Sequence, residues 1–465
     1  MRASLRDHRA SVLVAALSSA FGVLLLEVTG ALSTLVTADD IGRHAAVSVS
    51  LTIVAFVFLT IAVYVGAIVT TNTFATIIAG RTKTIALLRL IGSSSRQERR
   101  AVATEGFVVG LIGSALGAVA GVAAAFGAVR TMVGTGLIPD LAYEFFPPVL
   151  LVPVSIVFLT TWLSAWIGSR RVLQVTPLEA VGASQELSRD ESDSRRGRTV
   201  AAIVLSIIGI VILVLGVLLG LVSQLGVLVG VVGGILSFTG LVLGAHLFMP
   251  TALQLAGRLM GSSAEARLAA ANAVRYPERS SRMTIGLVIG ITLITMFAVA
   301  TQTFQDMIHE AMRADPQMYQ GVDGVLSVLV TVFSVLIGFS ALIAAVGMVN
   351  NLSLSVLQRQ RELGLLRALG FTGGQVKRMI VVESAQYSIA AVGVGLLLGI
   401  AYGWAGAQAL LGSIHGSPGL VIPSVPWLLL VLVVAAAATL TAVASVSPAR
   451  RATRIAPVVA LAVDS

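Results

Sequence analysis

Arg81-Thr-Lys-Thr-Ile-Ala-Leu-Leu-Arg-Leu-Ile-Gly92 and Arg359-Gln-Arg-Glu-Leu-Gly-Leu-Leu-Arg-Ala-Leu-Gly370 are two copies of one basic, apolar-bearing segment, 278 positions apart. Around them the register holds without a gap, with residues 72–121 lying over 350–399. Identities fall at Asn72/Asn350, Arg81/Arg359, Leu87/Leu365, Leu88/Leu366, Arg89/Arg367, Gly92/Gly370, Gln97/Gln375, Arg100/Arg378, Glu105/Glu383, Gly117/Gly395 and Gly121/Gly399. Apolar matches are cheap between any two lipid-soluble stretches, but six of these are polar or charged. With a shift of 280, Arg170, Arg171 and Pro177 also meet Arg450, Arg451 and Pro457, which carries the repeat to the end of each copy.

The medium around the repeat is lipid. A chain of 465 residues that is 56% hydrophobic and 11% charged lacks the polar surface a soluble protein of that length needs. A span takes about 20 mostly apolar residues. Dividing the uncharged runs at turn residues gives ten spans: 12–36, 45–78, 106–130, 147–168, 199–220, 225–250, 283–304, 325–356, 384–412 and 426–446. The first contains Glu27, is longer than a signal-peptide core and is read as a retained helix. With the N-terminus in the cytoplasm, 28 of the 31 Lys and Arg residues fall on inner segments. Only Arg43, Arg130 and Arg313 lie outside, as the positive-inside rule expects. The runs 45–80 and 325–358 would extend roughly 50 Å as continuous helices, past a hydrocarbon core of about 30 Å. Spans 2 and 8 are therefore expected to project from the membrane or tilt.

The expected architecture is all-α. A first permease half covers 1–181 (spans 1–4, repeat about 45–181), and a cytoplasmic linker follows at 182–198. A connecting hairpin (spans 5–6) covers 199–256, and a second half covers 257–465 (spans 7–10, repeat about 325–460). Because the hairpin adds an even number of spans, both halves enter in the same orientation and their pseudo-symmetry axis runs along the membrane normal. Inverted-repeat carriers differ on this point.

Several chemistries are excluded. With no cysteine there is no disulfide and no Cys-ligated metal, and five scattered histidines offer no ligand spacing. The net charge of +9 is accounted for by topology, since no basic stripe is interleaved with aromatics, so no nucleic-acid partner is implied. Neither lysine, Lys83 or Lys377, follows a glycine, so no phosphate loop ending in Gly-Lys-Ser/Thr exists and ATP hydrolysis is not in this chain.

The segment 359–370 and the ending Pro448-Ala-Arg-Arg-Ala-Thr-Arg-Ile-Ala-Pro457 resemble the signatures of FtsX-like permeases, in the macrolide-exporter and lipoprotein-releasing superfamily. The likeness is stronger over 325–460 than over 45–181, where Thr84 replaces the family glutamate that the second copy keeps as Glu362. In the terminal motif Glu179 is kept and Val459 departs. The ten-span layout is similar to bacitracin-resistance type permeases, but only about 20 residues, 305–324, stand where that type carries a large outer domain.

The resemblance implies a membrane subunit in the bacterial cytoplasmic membrane, with both termini inside. It would be driven by a separate ABC ATPase, expected as a dimer, that binds ATP and Mg. An extracytoplasmic lipoprotein or a sensor kinase is a further candidate partner. The implied activity is export or membrane extraction of a hydrophobic or amphipathic compound. The alternatives are a mechanotransmitting scaffold that regulates a hydrolase or kinase, and a proton-coupled carrier, which the repeat orientation disfavours.

The candidate ATPase-coupling residues are Arg81, Leu88, Arg89, Gly92, Arg359, Arg361, Glu362, Leu366, Arg367 and Gly370, with the two glycines ending short helices. The plain alternative is an ordinary positive-inside loop. Glu105 and Glu383 are read as carboxylates at the inner starts of spans 3 and 9, favourable at the positive end of a helix dipole, or as ion-pair partners of the coupling arginines. Glu27, in the membrane by this count, is either a functional group or a glutamate reaching the outer interface. Glycines 110, 113, 117, 121, 393, 395 and 399 read as close-packing positions. Eight acidic residues against three arginines leave the outer face at about −5, which could draw a cationic substrate or simply reflect the exclusion of basic residues.

Overall fold

The computed structural model describes residues 9–38, 93–136, 138–169, 196–260, 277–317 and 371–454 apart from 415, 417 and 418. It also describes scattered positions within 53–71, 267–271, 330–345 and 365–370. Among them every regular element is helical. The long helices are α1 (Arg9–Ala38), α2 (Ser95–Gly134), α3 (Leu151–Gly168), α4 (Arg196–Gly220), α5 (Gly226–Leu243), α6 (Ala245–Leu259), α7 (Pro277–Ala314), α8 (Gly373–Leu411) and α9 (Trp427–Arg454). Seven, α1 to α5 together with α7 and α8, are long and apolar enough to cross a membrane, while the apolar part of α9, Trp427–Ala442, is shorter. The chain is a multi-pass membrane protein. Spans 2 and 8 lie largely outside the described residues, and only single helical positions such as Tyr64 and Ile337 represent them.

Two expectations are corrected. Span 6 is not one helix over 225–250: it breaks at Gly244 (φ −87°, ψ 7°) and resumes as α6 to Leu259. Gly244 still donates to the Gly240 carbonyl at 2.8 Å, so the chain kinks rather than reverses. Pro250, inside α6, has no N–H to continue the ladder. The second correction concerns helix starts. α2 and α8 begin eleven residues before the expected spans 106–130 and 384–412, because hydropathy marks where lipid begins and not where the backbone becomes helical.

In lipid, apolar burial gives helices no preference for each other over acyl chains, so close packing of small residues must hold them together. A Cβ added at Gly117 would press on Ser19 and Ala20 of α1, and one at Gly121 would meet Ala20 and Val23. On the other side, Gly395 faces Ile291 and Thr292 of α7, and Gly399 faces Thr292 and Thr295. The glycines are 278 positions apart in each pairing and their partners are 272 apart in each, so α1 stands to α2 as α7 stands to α8. A Cβ at Gly393 would meet nothing within 4 Å among the described residues.

The first and last groups of helices share their pairings: α1 with α2 and α3, α2 with α3, and correspondingly α7 with α8 and α9, α8 with α9. They touch across α1 and α7, where Phe21 and Phe297 pack edge to face at 6.4 Å. In the 272 register the counterparts of that pair are Leu293 and Leu25, which share the same buried core. The hairpin α4–α5 rests on α8, and α6 is wedged against α7 and α8.

Candidate functional site

The described part of the second basic segment runs into α8. Its last turn closes with the Leu369 N–H donating to the Leu365 carbonyl at 2.9 Å and the Gly370 N–H to the Arg367 carbonyl at 3.1 Å. Gly370 then takes φ 101°, a conformation that costs a residue with a Cβ about 1 kcal/mol or more. Two residues later Thr372 caps α8 reciprocally: its hydroxyl accepts from the Gln375 N–H at 3.2 Å, and its own N–H donates to the Gln375 side chain at 2.9 Å. Phe371 and Leu268 both pack against the cluster of Val376, Met379 and Ile380. Tip, turn and helix start are thus one stiff piece.

On that piece Leu365 is 52% and Leu369 71% exposed, four residues apart on one face, with Arg367 half-buried between them in sequence. Leu365 and Leu369 were not among the expected coupling residues, although an apolar pair at i, i+4 in a basic loop is a legible signal. Of the expected set, the structure describes Arg367 and Gly370. Arg81, Leu88, Arg89, Gly92, Arg359, Arg361, Glu362 and Leu366 lie outside the described residues.

The first copy repeats the cap. Ser94 precedes α2, and its hydroxyl accepts from the Gln97 N–H at 3.2 Å, 278 positions before Thr372 and Gln375. In this copy the contact uses the Gln97 backbone, and the reciprocal side-chain bond is shown for Gln375 alone. Near the start of α2, Arg99 stacks on Trp166 of α3 at 4.7 Å, a tie between the two helices that the sequence reading missed.

Glu105 and Glu383 sit ten residues after the first residue of α2 and of α8. The dipole field acts on the first turn, so neither is a helix-start carboxylate. Glu383 is 4% exposed and accepts a 2.7 Å hydrogen bond from the Tyr387 hydroxyl one turn on. Glu105 is half-buried. Glu27 is 5% exposed, one turn beyond Val23 on the face of α1 that meets α2, and its Oε1 has no partner among the described residues. Its counterpart in the 272 register is Val299, fully buried. Glu27 is remote from the tip in chain and in fold, so the two do not form one site.

Two neutral polar residues inside α8 were missed. Gln386 donates to the Leu253 carbonyl at 2.7 Å and ties α8 to α6. Gln408 donates to the Gly419 carbonyl at 2.7 Å and accepts from the Val421 N–H at 3.1 Å, pinning the loop after α8, while Trp404 donates to the Val421 carbonyl. Among the described residues no group of three or more His, Asp or Glu could hold a metal ion.

The family model described as FtsX-like permease C-terminal matches this chain twice, at residues 56–177 and 334–457. The chain is 34% identical over 101 residues to the uncharacterized ABC transporter permease YknZ of Bacillus subtilis, covering 22% of this chain and 24% of the relative. It is 26% identical over 122 residues to the ABC transporter permease YtrF of the same organism, covering 25% and 28%. It is 30% identical over 127 residues to the macrolide export ATP-binding/permease protein MacB of Rhodopirellula baltica, covering 27% and 17%. The matched stretches span about a quarter or less of each relative's length.

Proposed function

This chain belongs to the FtsX-like permease family, and we propose that it is the membrane subunit of an ABC transporter whose ATPase is a separate polypeptide. The observation that carries this reading is the tip before α8, where Leu365 and Leu369 are exposed beside Arg367. Each exposed leucine forgoes about 1.5–3 kcal/mol that burial would provide. An apolar pair flanked by a guanidinium suits a groove on a protein partner better than water. The relatives named as ABC transporter permeases make an ABC ATPase dimer, binding ATP and Mg, the partner of choice.

In this account two halves, 1–181 and 257–465, enter the membrane in the same orientation, joined by the linker 182–198 and the hairpin 199–256. Both termini face the cytoplasm. The segments 81–92 and 359–370 dock on the ATPase, with Arg81, Leu88, Arg89, Arg359, Arg361, Glu362 and Leu366 adding contacts. Nucleotide-driven closure of the ATPase moves the tip. The stiff Gly370 turn and the capped start of α8 pass that motion to α8, and the glycine contacts at 395 and 399 pass it to α7. The work done is export or membrane extraction of a hydrophobic or amphipathic compound. The relative named for macrolide export supports that direction.

Arg367→Glu is expected to lower stimulation of the cognate ATPase by the reconstituted chain at least tenfold, with membrane insertion and thermal midpoint unchanged. Unaltered stimulation would remove the tip from the coupling path. The same assembly acting only as a signalling scaffold would hydrolyse ATP without moving a compound, and transport in proteoliposomes separates the two.

A further inference from the structure

Between α5, α7 and α8, bounded also by Tyr64 and Ile68, lies a cavity of about 150 Å³. Glycines leave it open: Gly230 and Gly234 of α5 and Gly403 and Gly406 of α8 line it. At Gly403 close packing requires the small residue, because a Cβ there would stand 2.5 Å from the Met296 carbonyl oxygen. At Gly234 and Gly406 it does not, since among the described residues a Cβ at either would meet nothing within 4 Å, and neither has a positive φ. A glycine inside a helix costs roughly 0.5–1 kcal/mol relative to alanine. At these two positions neither helix approach nor backbone conformation accounts for that cost, and the result is empty volume.

The wall is apolar, and its tyrosines are engaged. The Tyr64 hydroxyl donates to the Ile235 carbonyl at 3.1 Å and meets the Thr239 hydroxyl at 2.7 Å, and the Tyr402 hydroxyl meets that of Ser237 at 2.8 Å. The Thr292 hydroxyl, on a residue of the α7 wall, has no hydrogen-bond partner among the described residues. An ordered water needs two to four polar partners, and a dry apolar cavity of about 150 Å³ takes a benzene-sized hydrocarbon. Gly406 lines the cavity and is itself exposed, so the cavity reaches the surface of α8.

We propose that this cavity holds the end of one hydrocarbon chain entering from the bilayer, either an acyl chain of a membrane lipid or the tail of a single-chain amphiphile. The proposal needs only the membrane and stands or falls separately from the ATPase assignment.

The test uses the full chain in nanodiscs, without an ATPase. One sample contains phosphatidylcholine with a diazirine near the end of one acyl chain, and a second contains a single-chain fatty alcohol with the same group. After illumination, peptides are mapped by mass spectrometry. Segments 227–238 and 402–410 are expected to label saturably, at least fivefold above the exposed α4 face at Ile207, Val211 and Val214. Excess unlabelled fatty alcohol or lipid is expected to remove that signal without any substitution. Gly234→Leu with Gly406→Leu is expected to remove it too, whereas Gly127→Leu, another glycine whose Cβ would meet nothing, is expected to leave it intact. Labelling by the lipid probe alone identifies a bilayer acyl chain, and labelling by the alcohol that competes with lipid identifies a free amphiphile. Either supports the site. Labelling no greater than on α4, or labelling that survives both the competitor and the paired leucines, overturns it.

Discussion

Replacing Leu365 and Leu369 together with aspartate is expected to weaken association with the ATPase by about 100-fold or more. The pair would bury two leucines at a protein interface, each worth about 1.5–3 kcal/mol, and every 1.4 kcal/mol is a factor of ten. Because both side chains are exposed, the variant should insert and fold as the parent does, which a thermal midpoint checks. Titration of the ATPase against the reconstituted chain measures the effect. An affinity within threefold of the parent would show that the tip contacts no apolar groove.

A comparably large effect is expected from Gly399→Leu. A Cβ at this position presses on Thr295 and stands 2.8 Å from the Thr292 carbonyl oxygen, a backbone atom of α7 that a rotamer change cannot move. Overpacking of this kind typically costs 1–3 kcal/mol and occasionally more. Here the interface has little apolar driving force with which to absorb the strain, so a cost of about 3 kcal/mol or more and a sharp drop in monodisperse yield are expected. Gly393→Leu, six residues earlier on the same helix, should stay within about 0.5 kcal/mol because its Cβ meets nothing. Fluorescence-detected size exclusion across a temperature ramp compares the two. Equal midpoints would contradict the packing account.

Much of this was legible in the sequence because lipid imposes a simple code. Uncharged length located α1, α3 and α4, and turn residues placed the end of α4 at Gly220. The same code misled where it marks the wrong boundary. Arg99, Arg100, Lys377 and Arg378 are helical, although they are charged and lie outside the expected spans. The cues to the true starts were Ser94 with Gln97 and Thr372 with Gln375, a capping signature present in the sequence but read only as part of the repeat. Glu105 and Glu383 were misassigned for the same reason.

Other features carry weak signals. The 272 register of α1 and α7 is set by which small residues lie opposite the glycines, and those residues are Ser19, Ala20 and Val23 in one copy against Ile291, Thr292 and Thr295 in the other. None of these three positions is identical, and Thr29/Thr301 is the one identity over 9–38 in that register. Gln386 and Gln408 are neutral, so a search for charges in lipid passes over them, yet each satisfies backbone groups that would otherwise be costly to bury. The kink at Gly244 falls in a run where glycine is common, and only the following Pro250 hinted at it. Leu365 and Leu369 were read as members of a basic segment, although their exposure is the feature that argues for a partner.

The chain contains no cysteine, which permits a direct measurement. Leu369→Cys, labelled in native membranes with a maleimide that carries a photoactivated diazirine and then illuminated, should yield a covalent adduct whose second chain carries a Gly-x-x-x-x-Gly-Lys-Ser/Thr loop. Val222→Cys, at a still more exposed position in the α4–α5 turn, should yield no such adduct. If Leu369→Cys is captured only by lipid-facing chains or not at all, while Val222→Cys reacts as readily, the tip does not meet an ATPase and the transporter account fails.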